Sequence, residues 1–255
     1  MKIGIGCGAD AVKIVESAAE YAGLSGNSVV CFAYAEAENT VFSRSPAVSV
    51  VFSSHPEEEM IDALFAGDVD AAVRGSLPAN ATLSYLKKKY KVSHLRRIAL
   101  LETSCGQKFF FAPVGVDEGW TVEDKVSFVE EGRRYARACG LSDKAVVLAG
   151  GRSGDVGRHP AVDKSILDAE EVCRRTGAVF GEILIEDAVS DAGVVIAPDG
   201  ISGNLIFRTL VLLGNGVGHG APVVNIPDVY LDSSRAMSSY VPILSFTEKL
   251  FSLKE

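Results

Sequence analysis

The feature that most constrains this chain is a repeated alternation of short apolar runs, rich in Val, Ile and Ala, with longer stretches of helical spacing. Residues 2–6 read as a strand. Residues 10–23 then set Ala11, Val12, Ile14, Val15, Ala18 and Ala19 near one helical face, with Gly23 as a stop. Residues 29–33 and 48–52 read as strands. Pro56 and three glutamates open a helix, because proline and acids suit a first turn. Residues 70–73 form a short buried strand before a helix from about Asn80. Runs at 94–101 and 108–114 flank the turn-like Ser104-Cys105-Gly106 and read as an antiparallel pair. Thr121 starts a long helix that Gly140 ends. Strands at 145–149, 179–184, 194–197 and 222–226 then alternate with helices at 161–176, 202–213 and 234–251. Such alternation predicts an α/β chain with largely parallel sheets covered by helices on both faces. In sheets of this kind, ligands bind beyond the carboxyl ends of the strands.

Composition excludes several function classes. With 33 acids against 25 Lys and Arg, the net charge is −8. A nucleic-acid surface needs clustered cations to release phosphate counterions. Lys87-Lys88-Lys89 with Lys91, and Arg96-Arg97, are short and read as solvated helix or strand ends. No apolar run reaches the ~18 residues of a membrane span. The N-terminus shows no signal-peptide layout, so a cytoplasmic protein without a membrane or nucleic-acid partner is expected. The five cysteines (Cys7, Cys31, Cys105, Cys139, Cys173) contain no C-x-x-C, and the four histidines are scattered. Free thiols and no structural metal are expected.

Four strand-to-helix loops could carry chemistry. Gly4-Ile5-Gly6-Cys7-Gly8-Ala9 satisfies the dinucleotide fingerprint G-x-G-x-x-A and is similar to the glycine motif of S-adenosylmethionine-dependent methyltransferases. No acid ends the next strand, Glu36 lying too far along, so a tight turn at the first helix is the preferred reading. Arg74-Gly75-Ser76 leaves a buried strand with a guanidinium beside a free backbone, which suits a phosphate or carboxylate; pairing of Arg74 with an acid such as Asp68 is the structural alternative. Gly150-Gly151-Arg152-Ser153 begins a loop of exposed amides and positive charge ahead of a helix, a setting for anions. Asp199-Gly200, with Ser202-Gly203-Asn204, does the same, and Asp232-Ser233-Ser234-Arg235 opens the last helix.

Here the sequence resembles the phosphate acetyl- and butyryltransferases and the related acyl-phosphate synthase of phospholipid biosynthesis. VVIAPDGISGN (194–204) is similar to the P-D-x-x-x-G-N loop of the former and the D-G-x-x-G-N loop of the latter. GDVDAAVRGS (67–76) resembles the family's G-x-x-D-x-x-V-x-G stretch, and residues 121–150 resemble the helix and strand entering its second lobe. Pro227 and Ser234-Arg235 resemble the P-x-N-D-L-S-R segment, with a small insertion. The resemblance implies an isopropylmalate dehydrogenase-like fold of two three-layer α/β/α lobes around a cleft, and a homodimer. The lobes are expected at 1–120 with 235–255, and at 121–234. It further implies that Arg235, Ser234 and Asp199 are catalytic. Asn204, Gly203, Gly200, Gly150, Gly151, Arg152, Ser153, Arg74, Ser76 and Asp232 would bind a small anionic substrate. No cofactor is bound tightly, and coenzyme A or phosphate is the expected ligand.

One position departs from this pattern. Where the family places a catalytic-base Asp, seven residues after the Ser, this chain has Val241. The overall pattern resembles most a methanogen branch, the methanogenesis-marker proteins associated with the tetrahydromethanopterin methyltransferase system. The leading expectation is transfer of an acyl or phosphoryl group on an acyl phosphate or coenzyme A-type substrate; methyl transfer in methanogenesis and non-catalytic anion binding are the alternatives.

Overall fold

A computed structural model describes residues 1–41, 43–233 and 238–253. The chain forms two compact units, Met1–Leu95 with His219–Glu255, and Arg96–Gly218. The expected exchange points, 120/121 and 234/235, are therefore too late. The antiparallel hairpin near residue 100 pairs onward into the second sheet, and that pairing carries the whole segment from Arg96 into the second unit.

In the first unit, β1 (Lys2–Cys7), α1 (Ala11–Ser25), β2 (Ser28–Tyr34), β3 (Val48–Ser53), α2 (Pro56–Ala66), β4 (Ala71–Val73) and α3 (Ala79–Tyr90) follow one another. In the second unit come β5 (Ala99–Glu102), β6 (Lys108–Ala112), α4 (Val122–Ala138), β7 (Ala145–Val147), α5 (Pro160–Thr176), β8 (Val179–Phe180), α6 (Ile185–Asp191), β9 (Val194–Ile196), α7 (Gly200–Arg208) and β10 (Val217–Gly218). The chain then returns to the first unit with β11 (Ala221–Pro222), β12 (Val229–Asp232) and α8 (Val241–Ser252). No helix among the described residues is long and apolar enough to cross a membrane.

The first sheet has the order β11-β12-β4-β1-β2-β3, parallel except for β11. Its central strands β1, β2 and β4 are buried on both faces, as their near-continuous apolar runs require. Val30 and Phe32 of β2 face Met60, Ile61 and Leu64 of α2, while α1 and α8 lie together against the same sheet. Glycines within β1 serve close packing: a Cβ at Gly6 would run into Leu77 and the Arg74 carbonyl. The G-x-G-x-x-A pattern is thus filled by the chain's own β4–α3 loop.

The second sheet has the order β10-β5-β6-β9-β7-β8. Its β10, β5 and β6 are antiparallel and the rest parallel. Phe109, Phe110 and Phe111 of β6 are fully buried, each contributing roughly 2 kcal/mol by its transfer from water. Thr121 caps α4 by accepting from the Asp124 amide at 3.1 Å, and α5 ends at Gly177 in the left-handed region (φ 66).

Several element boundaries differ from the sequence expectation. The first helix passes through Gly23 and ends at Gly26 (φ 73). The run 179–184 is strand only at Val179–Phe180, because Glu182 takes a positive φ of 53. The run 222–226 is strand only at its start, and the strand that pairs with β4 is β12, absent from the sequence reading. Asp232 ends β12, and α8 spans Val241–Ser252.

Candidate functional site

In each unit the candidate residues gather at the carboxyl ends of parallel strands. In the first unit these are the ends of β12, β4 and β1. Arg74 is buried, and its guanidinium pairs with Asp232, donates to the Ser233 carbonyl and donates to the Leu77 carbonyl at 2.7 Å. The Ser233 hydroxyl donates to the Gly75 carbonyl at 2.5 Å. Gly75 needs its positive φ of 62, and a Cβ there would strike the Gly6 carbonyl. The Ser76 hydroxyl accepts from the Gly8 and Asp10 amides at 2.9 and 3.1 Å. Arg74, Ser76 and Asp232, all expected to bind substrate, lie together and clamp three strand ends to one another. The partner of Arg74 is Asp232 in place of Asp68.

Beside this clamp, the Tyr240 hydroxyl lies 3.5 Å from Asp10 Oδ2. Burial first, then the Asp10 carboxylate, push the Tyr240 phenol up to about 12, with Arg74 acting in the opposite direction. Neither Asp10 nor Tyr240 belongs to a motif, so sequence reading missed both. Ser234 and Arg235 lie outside the described residues.

In the second unit, the loops after β9 and β7 leave neighbouring parallel strands at the same end. Asp199 is the N-cap of α7: its Oδ1 accepts from the Ser202 amide at 2.8 Å. A Cβ at Gly200 would run into the Gly115 carbonyl, and one at Gly203 into the Pro113 carbonyl. These two glycines let α7 lie directly on the backbone that leaves β6. The Asn204 amide donates to the Val114 carbonyl at 2.9 Å and fixes the same contact.

The glycine-rich loop after β7 is satisfied from within. The Gly150 amide donates to Ser165 Oγ at 2.8 Å, and the Arg152 amide to Asp155 at 2.9 Å. The Ser153 amide and hydroxyl both donate to Glu182 Oε1, at 2.9 and 2.7 Å. The Ser153 amide, then the hydroxyl, hold the Glu182 carboxyl below its usual range, with Arg152 adding to the effect against a small burial penalty. The expected amide cradle of Gly150, Gly151, Arg152 and Ser153 thus already holds a carboxylate of the chain. Glu182 went unread because it was taken as strand.

Arg97, read as a solvated end, is instead a partner of buried Glu118. Its backbone amide and Nε donate to Glu118 at 3.1 and 2.6 Å. Burial raises the Glu118 carboxyl above its ordinary value, against the opposing pull of Arg97. The pair closes against Gly115, the residue on which Gly200 rests.

The sequence has known relatives. "Putative methyltransferase mtx subunit X" of Methanosarcina mazei is 41% identical over 213 residues, covering 82% of this chain and 76% of that protein. The chain belongs to the Mtx subunit X family. The Methanosarcina barkeri member is 39% identical over 213 residues, covering 82% of this chain and 79% of its own length. A relative in Methanocaldococcus jannaschii, named an uncharacterized methyltransferase, is 34% identical over 188 residues, with 69% and 76% covered. No protein-family model matches the sequence.

Among solved structures, the chain is similar to a branched-chain phosphotransacylase from Enterococcus faecalis. The TM-score is 0.76 at 17% identity, over 98% of this chain and 99% of that one. A phosphotransacetylase from Streptococcus pyogenes gives 0.73 at 14% identity, over 99% and 94%. 4-Hydroxythreonine-4-phosphate dehydrogenase from Klebsiella pneumoniae gives 0.58 at 13% identity, over 100% and 98%. At these identities the likeness establishes the fold, which is the isopropylmalate dehydrogenase-like α/β fold of the phosphotransacylases.

Proposed function

We propose that this protein takes part in methyl transfer in methanogens, using a phosphotransacylase fold to hold an anionic methyl carrier. The observation that carries this reading is the contrast between two likenesses. A relative 41% identical over 213 residues is named "Putative methyltransferase mtx subunit X", while a branched-chain phosphotransacylase shares 17% identity and the fold.

The chemistry at one position points the same way. A thiol that attacks an acyl phosphate must lose its proton to a base. The position expected for that base is Val241, the first residue of α8, which cannot take a proton. Methyl transfer is an in-line displacement, and the protein's main contribution is alignment of donor and acceptor. The start of α7 at Asp199–Asn204 is the loop suited to hold the carrier's anionic end, because the Gly150–Ser153 loop is already closed on Glu182. The Asp199 cap and the Asn204 bond keep it rigid.

Acyl or phosphoryl transfer, the leading expectation from sequence, becomes the second reading. It is favoured by the phosphotransacylase fold together with the P-D-G-x-x-G-N loop on α7. A thermal-shift and calorimetry series with a methyl-tetrahydropterin, S-adenosylmethionine, coenzyme A and acetyl phosphate separates the two. A methyl donor is expected to raise the melting temperature and bind saturably. A response confined to coenzyme A or acetyl phosphate would establish the second reading and end the first. Saturable binding of plain phosphate with no methyl or acyl turnover would leave only an anion-binding protein.

A further inference from the structure

The chain's one tryptophan stands half-exposed on the loop that leaves β6. Trp120 is 50% exposed, and Val116, four residues earlier, is 58% exposed. The indole N–H is already served, since Nε1 donates to the Val116 carbonyl at 3.0 Å, yet the ring stays open to water. The loop that carries it is fixed. Buried Glu118 accepts from the Arg97 amide and Nε, and its own amide donates to the Gly115 carbonyl at 3.1 Å. Gly119, at φ 70, lies so close to Pro113 that a Cβ would strike the proline ring. Trp120 is therefore held before any ligand arrives, which lowers the ordering cost of using it.

The same loop is the bed on which α7 starts. Gly200 rests on the carbonyls of both Gly115 and Glu118, and Asn204 holds the Val114 carbonyl. Val116 follows Gly115, Trp120 lies two residues past Glu118, and exposed Ile201 follows Gly200. Three exposed apolar side chains thus flank the contact between this loop and the helix start.

We infer that Trp120, edged by Val116 and Ile201, is a platform on which the flat nitrogen heterocycle of the carrier stacks. This rests on the reading that the start of α7 holds the carrier's anionic end. The ligand class is then a molecule with both parts, a planar heterocycle and an anionic tail. A tetrahydropterin and the adenine of S-adenosylmethionine or coenzyme A share that chemistry. Stacking accepts each of them, because every such ring presents a π face.

Trp120 is the only tryptophan, so emission excited at the red edge of the indole band reports this position alone. The full chain is titrated with a methyl-tetrahydropterin, S-adenosylmethionine and coenzyme A, with free N-acetyltryptophanamide as the absorption control and calorimetry in parallel. The methyl-tetrahydropterin is expected to quench Trp120 saturably, with the calorimetric midpoint. By calorimetry, Trp120→Ala should weaken binding about tenfold, and Trp120→Phe, which keeps a stacking ring, by less than about threefold. Both variants should keep the wild-type circular dichroism and melt. Leu167→Ala, at an exposed leucine on α5, should bind as the wild type does.

Calorimetric binding of the pterin with unchanged Trp120 emission would overturn the platform and leave methyl transfer standing. So would undiminished affinity in Trp120→Ala, or an equal loss in Leu167→Ala. A response to S-adenosylmethionine in place of the pterin, weakened in Trp120→Ala, keeps both readings and makes adenine the ring. The same response to coenzyme A alone keeps the platform and ends the methyl-transfer reading. Binding of none of the three overturns both.

Discussion

At the scale of single residues, the chain neutralises its charges internally. Arg74 is the clearest case, since each of its three nitrogens has a partner within the chain. Removing its carboxylate leaves a guanidinium buried without a counter-ion, which costs about 3–5 kcal/mol. Asp232→Ala is therefore expected to lower the urea midpoint by that equivalent, and Arg74→Met by less, because the charge leaves with its partner. An Asp232→Ala protein of unchanged stability would return Arg74 to the role of a ligand-binding cation. The sequence marked both residues as candidates, but they lie 158 positions apart. No local pattern links them, so their pairing was not legible.

Two carboxyls make opposite predictions with pH. Burial raises Glu118, so its stabilising contribution is full at acid pH and is lost as pH rises through its folded pKa. Asp168 is lowered: burial acts to raise it, but Lys164 and Lys125 together prevail. Its contribution is present above the ordinary carboxyl range and is lost as pH falls through its folded pKa. A carbon-detected carboxyl titration should place Glu118 above and Asp168 below the usual values near 4. Both midpoints at the usual value would mean that neither pair is held as described.

At the scale of elements, α7 is positioned by what its glycines lack. Alanine at Gly200 or Gly203 drives a methyl into a backbone carbonyl, of Gly115 or Pro113 respectively. Overpacking of this kind costs about 1–3 kcal/mol. Gly154 has open space around its Cβ position, so Gly154→Ala serves as the neutral comparison. If all three alanine variants melt together, α7 does not rest on the β6 exit as described. The sequence reading found α7 because Pro198-Asp199-Gly200 follows an apolar strand, but it read Asp199 as a catalytic group, whereas the structure makes it the helix cap. It missed β12, since Val229-Tyr230-Leu231 is a three-residue apolar run between Asp228 and Asp232 and looks like loop. Only the register with β4 reveals it as a strand. Strand–helix alternation was legible because period and capping are local. The internal pairings that close the glycine-rich loop were not, because they depend on Glu182, 29 positions from Ser153.

At the scale of the whole molecule, the chain leaves the first unit after Leu95 and returns to it at His219. The second unit is one continuous segment, Arg96–Gly218, with its own sheet and a buried core that includes Phe109–Phe111, Phe128, Val147, Val172 and Val195. A segment of this length falls within the ordinary range of independently folding domains. Expressed alone, 96–218 should show dispersed amide resonances and one cooperative urea transition. The first unit has the opposite character. Without residues 219–255, β4 loses β12 as a neighbour, Arg74 loses Asp232, and α1 loses the packing of α8. A fragment of 1–95 should therefore stay largely unfolded until 219–255 is supplied, either in trans or through a short linker from Leu95. Cooperative folding of 1–95 by itself would show that the returning segment decorates the first unit without completing it. Failure of 96–218 to fold alone would make the two units a single cooperative body.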